Sequence, residues 1–533
     1  MADRIQENQF TYGEGQTMNS DDVEIANRPG QPVNGRDYGT AGQQDEDADR
    51  PSDNAEEAVT RKPAANTDAV ATRALAPDLL RGLLMVFMAL DHNVLALNAW
   101  EHGQGRVGEG DGAVVHEWNR PIAYTIRTLT HLCAPGFTFL LGMGVVYFGR
   151  SRARLGWTGF QMVWHFVIRA VVLTLLCVLM GVVVSGGSIW FLNVVLFSLA
   201  IDYLLAGLLW LVISKTEPVL ARGFAACLPE DTEDDDATQP LLTMSNGVKI
   251  SAKEKWAADL SWHLHNVVLL ALTGVTIWWN IWLSPTHGRC SAGTKPVTAK
   301  IIPDSPILRI WFWVVQEIGA ISAFPPLAWI SFSILGLLYG RLILARPWSV
   351  KTIRLATLLS ALAFGLFFVF TRVFDFGNLS TGCLQTAEHT AHPGTNQYLV
   401  SPKSFFYITK YPPDVAFFSF TMAANLLLLT LFDVIPPRIA SRFSILLAYG
   451  TSALFFYIVH QFMLFSLGGL LTRLYGHDMG FEDPVMQKPA IGIDNLWVYF
   501  GLWAITLAIL SPLCHLYSRF KKTKGPNSIW RFF

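Results

Sequence analysis

Long apolar and polar blocks alternate along the chain from about residue 73 onward. About ten apolar segments each have close to the twenty residues that a helix needs to cross the hydrocarbon core of a bilayer. The pattern therefore predicts an all-α fold, a polytopic membrane bundle of about ten transmembrane helices. The predicted spans are 77–98, 122–148, 161–184, 190–213, 263–283, 322–343, 355–373, 412–433, 444–470 and 494–515.

Basic residues cluster at the ends of the spans and predict the orientation of the bundle. With an even number of spans, all of these clusters fall on one face, and the positive-inside rule places that face and both termini in the cytosol. The clusters are Arg61, Lys62 and Arg73; Arg150, Arg152 and Arg154; Arg341, Arg346, Lys351 and Arg354; Arg438 and Arg442; and Arg519, Lys521, Lys522 and Lys524.

Three polar regions lie outside the predicted membrane domain, which covers residues 73–520. Residues 1–72 predict a disordered cytosolic tail without the apolar core of a signal peptide, so targeting is expected to come from the first span. An inner loop at about 215–262 carries an acidic run at 230–236 and is expected to be a disordered insertion. Residues 521–533 form a basic cytosolic tail.

Composition excludes the ordinary soluble class. The chain is 51% hydrophobic and only 15% charged, whereas soluble domains carry about 25% charged residues. The net charge is −1 and no basic patch exceeds the groups flanking the spans, so the expected partner is a lipid bilayer and not nucleic acid. The sequence contains no CxxC spacing and no His-rich tract, so no metal site is predicted.

Two features of the outer loops indicate a lumenal or extracellular environment. The triplet at Asn378 is an N-glycosylation sequon in the loop after span seven. Cys290 and Cys383 lie in two different outer loops, where an oxidising compartment permits a disulfide. We therefore expect a glycan on Asn378 and a pairing of the two cysteines.

Span one carries ionisable residues that are costly in hydrocarbon and that usually face a bundle interior or a watery cavity. Arg81 lies near its start, and Asp91 and His92 lie near its end. Arg81 and His92 are eleven residues apart and share one helix face, about 16 Å apart along the axis. The pair indicates the wall of an active site, or alternatively an arginine that reaches the headgroups and a histidine that marks the far interface.

Span two contains His131 four residues before Pro135, and a proline inside a helix frees the carbonyl four residues earlier. That spot can bind water or a ligand, but a tolerated kink with an interhelical hydrogen bond is the favoured interpretation. In span eight, Asp414 follows two prolines and is expected to cap the helix. In span six, Gly336 and Gly340 lie four residues apart and predict close helix packing.

Span nine places Tyr457 and His460 on one helix face, where they line either a substrate or acyl pocket or simply the core. In the predicted topology His92, His131, Asp414 and His460 all fall in the outer half of the membrane. Arg81 lies toward the inner side. This distribution indicates a cavity reached from both faces, with a phosphate-rich ligand near the cytosolic arginine.

Four motifs together resemble the heparan-alpha-glucosaminide N-acetyltransferase-like family of the transmembrane acyltransferase superfamily. They are R-x4-D-x2-RG-x2-M-x2-MALDH in span one, THLCAPGFTFLLG in span two, FPPLAW…LGLLYGRL in span six and KYPPD…SALFFYIVH in spans eight and nine. The resemblance covers roughly residues 73–519. It implies transfer of an acyl group, usually acetyl, from cytosolic acyl-CoA to an acceptor on the lumenal or external side.

The resemblance also implies roles for single residues. Arg81 and His92 match the superfamily's first-span arginine and histidine, Asp91 stands where the lysosomal member has an asparagine, and His102 corresponds approximately to a second histidine of that member. The assignment of the general base is open between His92 and His102. We favour His92 because the spacing to Arg81 is kept and because His102 lies in a glycine-rich loop that is expected to be mobile.

The remaining site residues receive supporting roles under the same resemblance. Asp91 orients the substrate or bonds to a neighbouring helix, and His131 polarises the thioester carbonyl or positions the acceptor. Arg81 binds a CoA phosphate, and Tyr457 and His460 line the acyl-CoA site. The acceptor is a hydroxyl or an amine on a small molecule or carbohydrate. A homodimer, and a location in the plasma membrane or in a vacuolar, lysosomal or other endomembrane, are compatible with this class.

Two other classes of protein fit the same residues. A secondary transporter or channel would use Asp91, His92 and His460 as a proton or solute path. A protein with a degenerate site would serve mainly as a binding partner. Consumption of acyl-CoA separates the enzyme from both.

Overall fold

The computed structural model describes residues 67–228, 251–290, 302–483, 488–525, 528 and 530. Ten of its helices are long and apolar enough to cross a membrane, which confirms the all-α polytopic fold. The helices, in chain order, are α1 (Thr67–Leu97), α2 (Pro121–Thr130), α3 (Cys133–Arg154), α4 (Gly159–Val184), α5 (Leu196–Cys227), α6 (Ala252–Trp282), α7 (Pro306–Arg309), α8 (Pro326–Ala345), α9 (Val350–Val373), α10 (Ala387–Ala391), α11 (Pro402–Phe406), α12 (Val415–Val434), α13 (Pro437–Ala440), α14 (Ser444–Thr451), α15 (Ala453–Tyr475) and α16 (Leu496–Lys522).

The α1 helix lies at the centre of the bundle, where it packs against α2, α3, α12, α14, α15 and α16. Its neighbours bury both the Asp91 and the His92 side of its outer end. The α4 and α9 helices lie at the periphery, and many of their large apolar side chains are exposed to the surroundings, as expected of surfaces that face lipid. The central position of α1 explains why its ionisable residues are enclosed by protein.

Short strands occur only in the outer loops of the described chain. The strands β1 (Phe191–Asn193), β2 (Val315–Glu317) and β3 (Ala320–Ser322) form a sheet in the order β1-β3-β2, with Phe191 opposite Ala320 in the parallel pair. The strands β4 (His477–Glu482) and β5 (Pro489–Gly492) form an antiparallel pair. The predicted start of span four at residue 190 is therefore wrong, since β1 occupies that segment and α5 begins at Leu196.

Two of the predicted spans are interrupted helices. Span two divides at His131 and Leu132 into α2 and α3, so Pro135 lies in the first turn of α3, where its missing N–H is least harmful. The Asn425 side chain donates to the Leu132 carbonyl across the break (3.1 Å), so the predicted interhelical hydrogen bond exists at an interruption and not at a simple kink. Span nine divides at Ser452 into α14 and α15.

The cytosolic insertion predicted at 215–262 is helical at both ends. The α5 helix continues to Cys227, and α6 begins at Ala252, where the Ser251 hydroxyl caps it. Arg341 of α8 forms an ion pair with Glu217 (2.7 Å), which holds this polar extension against the bundle. The acidic run lies outside the described residues. Similarly, α1 begins at Thr67 inside the predicted N-terminal tail, and α16 ends at Lys522 inside the predicted C-terminal tail.

Glycines allow the α3 and α8 backbones to touch, as expected from Gly336. A Cβ atom on Gly336 would overlap the carbonyl oxygen of Phe139, and a Cβ atom on Gly142 would overlap that of Ser333. The two overlaps are reciprocal, because each helix presents a glycine to a carbonyl of the other. Close approach of this kind is how small residues promote helix association in membranes.

The outer loops pack on one another. Cys290 and Cys383 form a disulfide with their Cα atoms 4.9 Å apart, which confirms the predicted pairing. The Val115 N–H donates to the Cys383 carbonyl, and the Gln385 N–H donates to the Val115 carbonyl, both at 2.9 Å. The disulfide therefore joins the loops after spans five and seven, and the Val115 bonds attach the latter to the loop that carries His102.

Asn378 does not present an accessible side chain for a glycan. It is only 4% exposed, and its amide nitrogen donates to the Thr371 carbonyl and to Asp375, both at 3.1 Å. Its amide oxygen accepts from the buried Arg372 (3.0 Å). Glycosylation of Asn378 stays a prediction, and it would require attachment of the glycan at this enclosed nitrogen.

Candidate functional site

Two groups of polar side chains meet at the outer end of α1. Asp91 and His92 are consecutive, so their side chains point about 100° apart around the helix. Asp91 belongs to what we call the arginine cluster: Asp91, His102, Glu109, Arg127 and His131. His92 belongs to the histidine pair, His92 and His460.

Arg127 of α2 is the centre of the arginine cluster. Its side chain is only 3% exposed and binds two carboxylates, Asp91 at 2.8 Å and Glu109 at 2.7 Å. Asp91 also accepts from the hydroxyl of Thr130 (2.9 Å). A guanidinium shared by the buried Glu109 and the half-buried Asp91 holds both carboxylates in fixed positions, because charge-assisted hydrogen bonds are strong and directional.

Glu109 joins the outer loop to span two. Its carboxylate faces the His131 Nε2 atom at 2.9 Å and accepts from the Gln104 N–H at 2.9 Å. Burial by itself would raise the pKa of Glu109, but the Arg127 charge and then the charge and hydrogen bond of His131 outweigh it, so its pKa lies well below the ordinary value. Glu109 is therefore ionised throughout the physiological range.

The loop that carries His102 is fixed, contrary to the expectation that it is mobile. The Asn119 side chain donates to the carbonyls of Glu101 (2.8 Å) and Gly103 (3.1 Å), on either side of His102. The next side chain, Gln104, is fully buried and bonds Thr128, the Phe406 carbonyl and the Ile408 N–H. The glycine-rich composition predicted a mobile loop because composition does not show these side-chain hydrogen bonds.

His102 lies against Asp91 with one ring nitrogen unoccupied. Its Nε2 atom is 3.1 Å from Asp91 and 3.0 Å from Arg127, and among the described residues its Nδ1 atom has no hydrogen-bond partner. Burial lowers the pKa of His102, as does the Arg127 charge, against the opposing effect of Asp91. The ring is therefore neutral near pH 7. The two neighbours favour different tautomers, because Asp91 can only accept and Arg127 can only donate. In the tautomer that donates from Nε2 to Asp91, the lone pair lies on Nδ1.

The histidine pair is enclosed more completely. His460 Nδ1 donates to the Phe456 carbonyl (2.9 Å), so its Nε2 atom accepts from His92 Nδ1 (2.7 Å). The two rings stack with centroids 5.0 Å apart. The bonds from the Phe456 carbonyl through His460 leave the lone pair of His92 on Nε2, so His92 too is positioned as a base in this tautomer. The amide nitrogen of Gln461 lies 3.0 Å from the same Nδ1 atom, and as a donor it would bond only the other tautomer of His92.

Tyr457 and His460 support His92 instead of presenting a free surface. Tyr457 packs edge-on against His92 with ring centroids 6.1 Å apart, and His460 is fully buried. Direct contact of either side chain with acyl-CoA would require a rearrangement of this packing. Their predicted binding role stays a prediction.

Arg81 lies apart from both groups, near the other end of α1. It forms an ion pair with Asp78 (2.7 Å) and donates to the Gly450 carbonyl (3.3 Å). Its side chain keeps 29% exposure. Asp414 is likewise separate, and it caps α12 as expected by accepting from the Phe417 N–H (2.6 Å). A phosphate contact by Arg81 stays a prediction.

Three residues near the site were missed from the sequence. Arg127 is an ionisable group inside an apolar span, the same signal that identified Asp91 and His131. Lys410 stands in the KYPPD motif, where only Asp414 received attention. Glu109 has no local signal, because a glutamate between two glycines of a polar loop is usually solvated.

Within the described part of the chain, no group of three or more His, Cys, Asp or Glu side chains is arranged to hold a metal ion.

Comparison with known proteins identifies no family. No protein-family model matches the chain, and no curated protein matches it either. The acyltransferase resemblance therefore rests on the motifs alone.

Proposed function

We propose that the protein is an integral membrane acyltransferase that moves an acyl group, in the first instance acetyl, from acyl-CoA to a hydroxyl or amine acceptor. The observation that carries the proposal is the half-buried Asp91–His102 pair, in which the Nδ1 atom of His102 meets no hydrogen-bond partner among the described residues. A histidine fixed by a carboxylate, with its second nitrogen available, is the arrangement that general bases use in acyl transfer.

The proposed base is His102, where the sequence alone favoured His92. A base becomes a cation when it accepts a proton, and Asp91 lies next to His102 to stabilise that charge. His92 has only another imidazole and an amide as direct partners. His102 is also the less enclosed, with 14% of its side chain exposed.

The reaction follows from these positions. The acceptor oxygen or nitrogen attacks the thioester carbonyl while His102 Nδ1 takes its proton. The tetrahedral intermediate then collapses, the carbon–sulfur bond breaks, and the CoA thiolate leaves with the proton returned by His102. Arg81 lies ten residues before Asp91, about 15 Å along α1, so CoA phosphates near Arg81 require the thioester arm to extend toward the outer half of the bundle.

The test is CoA release by the purified full-length protein from acetyl-CoA, with glucosamine as an acceptor that offers both an amine and hydroxyls. We expect His102→Ala to lower kcat by about 10²-fold or more, and Asp91→Asn to lower it through loss of the carboxylate. Binding of acetyl-CoA should persist in both. His116→Ala is the matched control, because His116 is an exposed histidine of the same loop.

The pH profile gives a second measurement. Because burial and Arg127 lower the pKa of His102, the rate should hold at pH 6.5 and fall only below the ordinary histidine range. Loss of turnover in His92→Ala with full activity in His102→Ala would return the base assignment to His92. Full activity of all the variants would contradict the enzymatic proposal.

A second candidate, an ion-coupled carrier, is favoured by one observation. Asp202 in α5 is fully buried, and neither of its carboxylate oxygens has a hydrogen-bond partner among the described residues. Ionisable groups in membrane interiors often mark ion paths. Proton-driven solute uptake by proteoliposomes without CoA consumption, lost in Asp202→Asn, would support the carrier over the acyltransferase.

A further inference from the structure

Lys410 lies in the segment before α12 and touches the loop of the arginine cluster. Its backbone N–H donates to the Glu109 carbonyl (3.1 Å), and the whole residue is only 4% exposed. The lysine is therefore held beside the site by backbone contacts, and its side chain is mostly buried with it.

Among the described residues, the ammonium group of Lys410 forms no ion pair, although its charge acts on Asp91 at longer range. Its Nζ atom lies 5.4 Å from the ring centroid of Phe324 and 5.3 Å from that of Tyr411. These rings provide cation–π attraction. However, none of its three N–H donors reaches an acceptor, and no carboxylate lies within 4.0 Å, as far as the described residues extend. The Nζ atom is not fully enclosed, and an anion can reach it. A mostly buried ammonium without an ion pair favours the binding of such an anion.

The neighbouring carboxylates are already occupied. Both Asp91 and Glu109 are bound by Arg127, and Glu109 also meets His131. The ring of Tyr411 joins the two cations, because its hydroxyl accepts from Arg127 (3.4 Å) while its face receives Lys410. With two carboxylates, Arg127 and neutral histidines, Lys410 makes the site neutral overall, but its own charge stays unpaired.

We propose that Lys410 is an anion-binding residue of this site, and that its ammonium receives a negatively charged oxygen of the substrate. Two sources of that oxygen share the same chemistry. One is the thioester carbonyl oxygen, which becomes negative as the acceptor attacks; this source rests on the proposed function. The other is an acidic group carried by the acceptor. An ammonium without an ion pair in the free protein stabilises the state in which a negative oxygen is placed beside it. That state is the transition state in the first case and the complex with the acidic acceptor in the second.

Anion binding is tested first, without any acyl donor. The thermal unfolding midpoint of the full-length protein in detergent is followed against sodium acetate at constant ionic strength. We expect a saturable rise in the wild type and in the control Lys403→Met, a lysine of the neighbouring helix α11. Lys410→Met should lose the rise and Lys410→Arg should keep it, and comparison among the variants cancels general salt effects. An unchanged acetate response in Lys410→Met overturns the proposal.

Kinetics then distinguish the two sources. If the carbonyl oxygen is the ligand, Lys410→Met should lower kcat by about 10²–10³-fold with a small change in KM. If the acceptor supplies the anion, KM should rise for an acidic acceptor such as glucosamine 6-sulfate and stay constant for glucosamine. Should Lys410→Met fail to fold, Lys410→Gln takes its place. Absence of acyl transfer in the wild type would refute the proposed function, while the acetate measurement would still decide the role of Lys410.

Discussion

Glu109 shows how one loop carboxylate holds the site together. It is fully buried, binds Arg127 and faces His131. We expect Glu109→Gln to lower the free energy of unfolding by on the order of 3–5 kcal/mol at neutral pH, because removal of one partner leaves a buried charge uncompensated. Denaturation of the detergent-solubilised protein measures this loss.

The pH dependence of that loss has a definite sign. The pKa of Glu109 is depressed in the folded protein, so its contribution is complete above the unfolded pKa of about 4.3 and is lost as the pH falls toward the folded value. The difference between wild type and Glu109→Gln should therefore narrow below about pH 4. Glu117→Gln is the control, because Glu117 pairs with Arg106 at the surface with 67% exposure and such pairs contribute little. Equal losses of unfolding free energy in Glu109→Gln and Glu117→Gln would show that burial does not strengthen the contribution of Glu109.

From the sequence, the site could be predicted only at residues whose burial in an apolar span is energetically costly. Asp91, His92, His131 and His460 stand out because ionisable groups are rare in apolar spans, and all four lie in the two polar groups at the end of α1. The partner of each could not be read from the chain, because Glu109 and Lys410 are brought in by loops. The choice of His102 over His92 depends on the contact of His102 with Asp91. The side-chain bonds of Asn119 and Gln104 that hold this loop in place have no sequence pattern.

At the level of elements, the α3–α8 contact depends on glycine. We expect Gly142→Ala to destabilise the protein by at least the 1–3 kcal/mol typical of overpacking, because the added Cβ atom meets a backbone carbonyl that cannot rotate away. Gly144→Ala is the control in the same helix, since a Cβ atom there meets nothing within 4 Å. It should be neutral or slightly stabilising, as expected for alanine replacing glycine in a helix. Similar unfolding midpoints for the two variants would show that the backbones separate freely.

Hydropathy predicts the number of spanning helices because bilayer thickness fixes how much apolar length each must have. It does not predict the interruptions at His131 and Ser452, because the sequence stays apolar on both sides of each. It also misses the polar ends of α5 and α6 beyond the membrane, which are held by contacts such as that between Arg341 and Glu217. Helix ends outside the bilayer are set by capping and packing, and not by the membrane.

For the whole molecule, the order of the helices places the disulfide on one face of the bundle and the described basic clusters at 150–154, 341–354, 438–442 and 519–524 on the other. The predicted orientation can be measured by labelling. Cys227 provides the means, because among the described free cysteines it is exposed while Cys133, Cys177 and Cys514 are buried. It lies at the end of α5 on the predicted cytosolic face. A membrane-impermeant maleimide should therefore label it from the cytosol.

The labelling experiment uses cells in three states. We expect no labelling of Cys227 in intact cells, and labelling once the plasma membrane alone is permeabilised, whichever membrane holds the protein. Cys227→Ser should abolish the signal, and the disulfide of Cys290 and Cys383 should keep those two residues unlabelled without reductant. Labelling in intact cells, or only after organelle membranes are opened, would show that the bundle has the opposite orientation. The arginine cluster would then face the cytosol, on the same side as acyl-CoA, and transfer across the membrane would no longer be required.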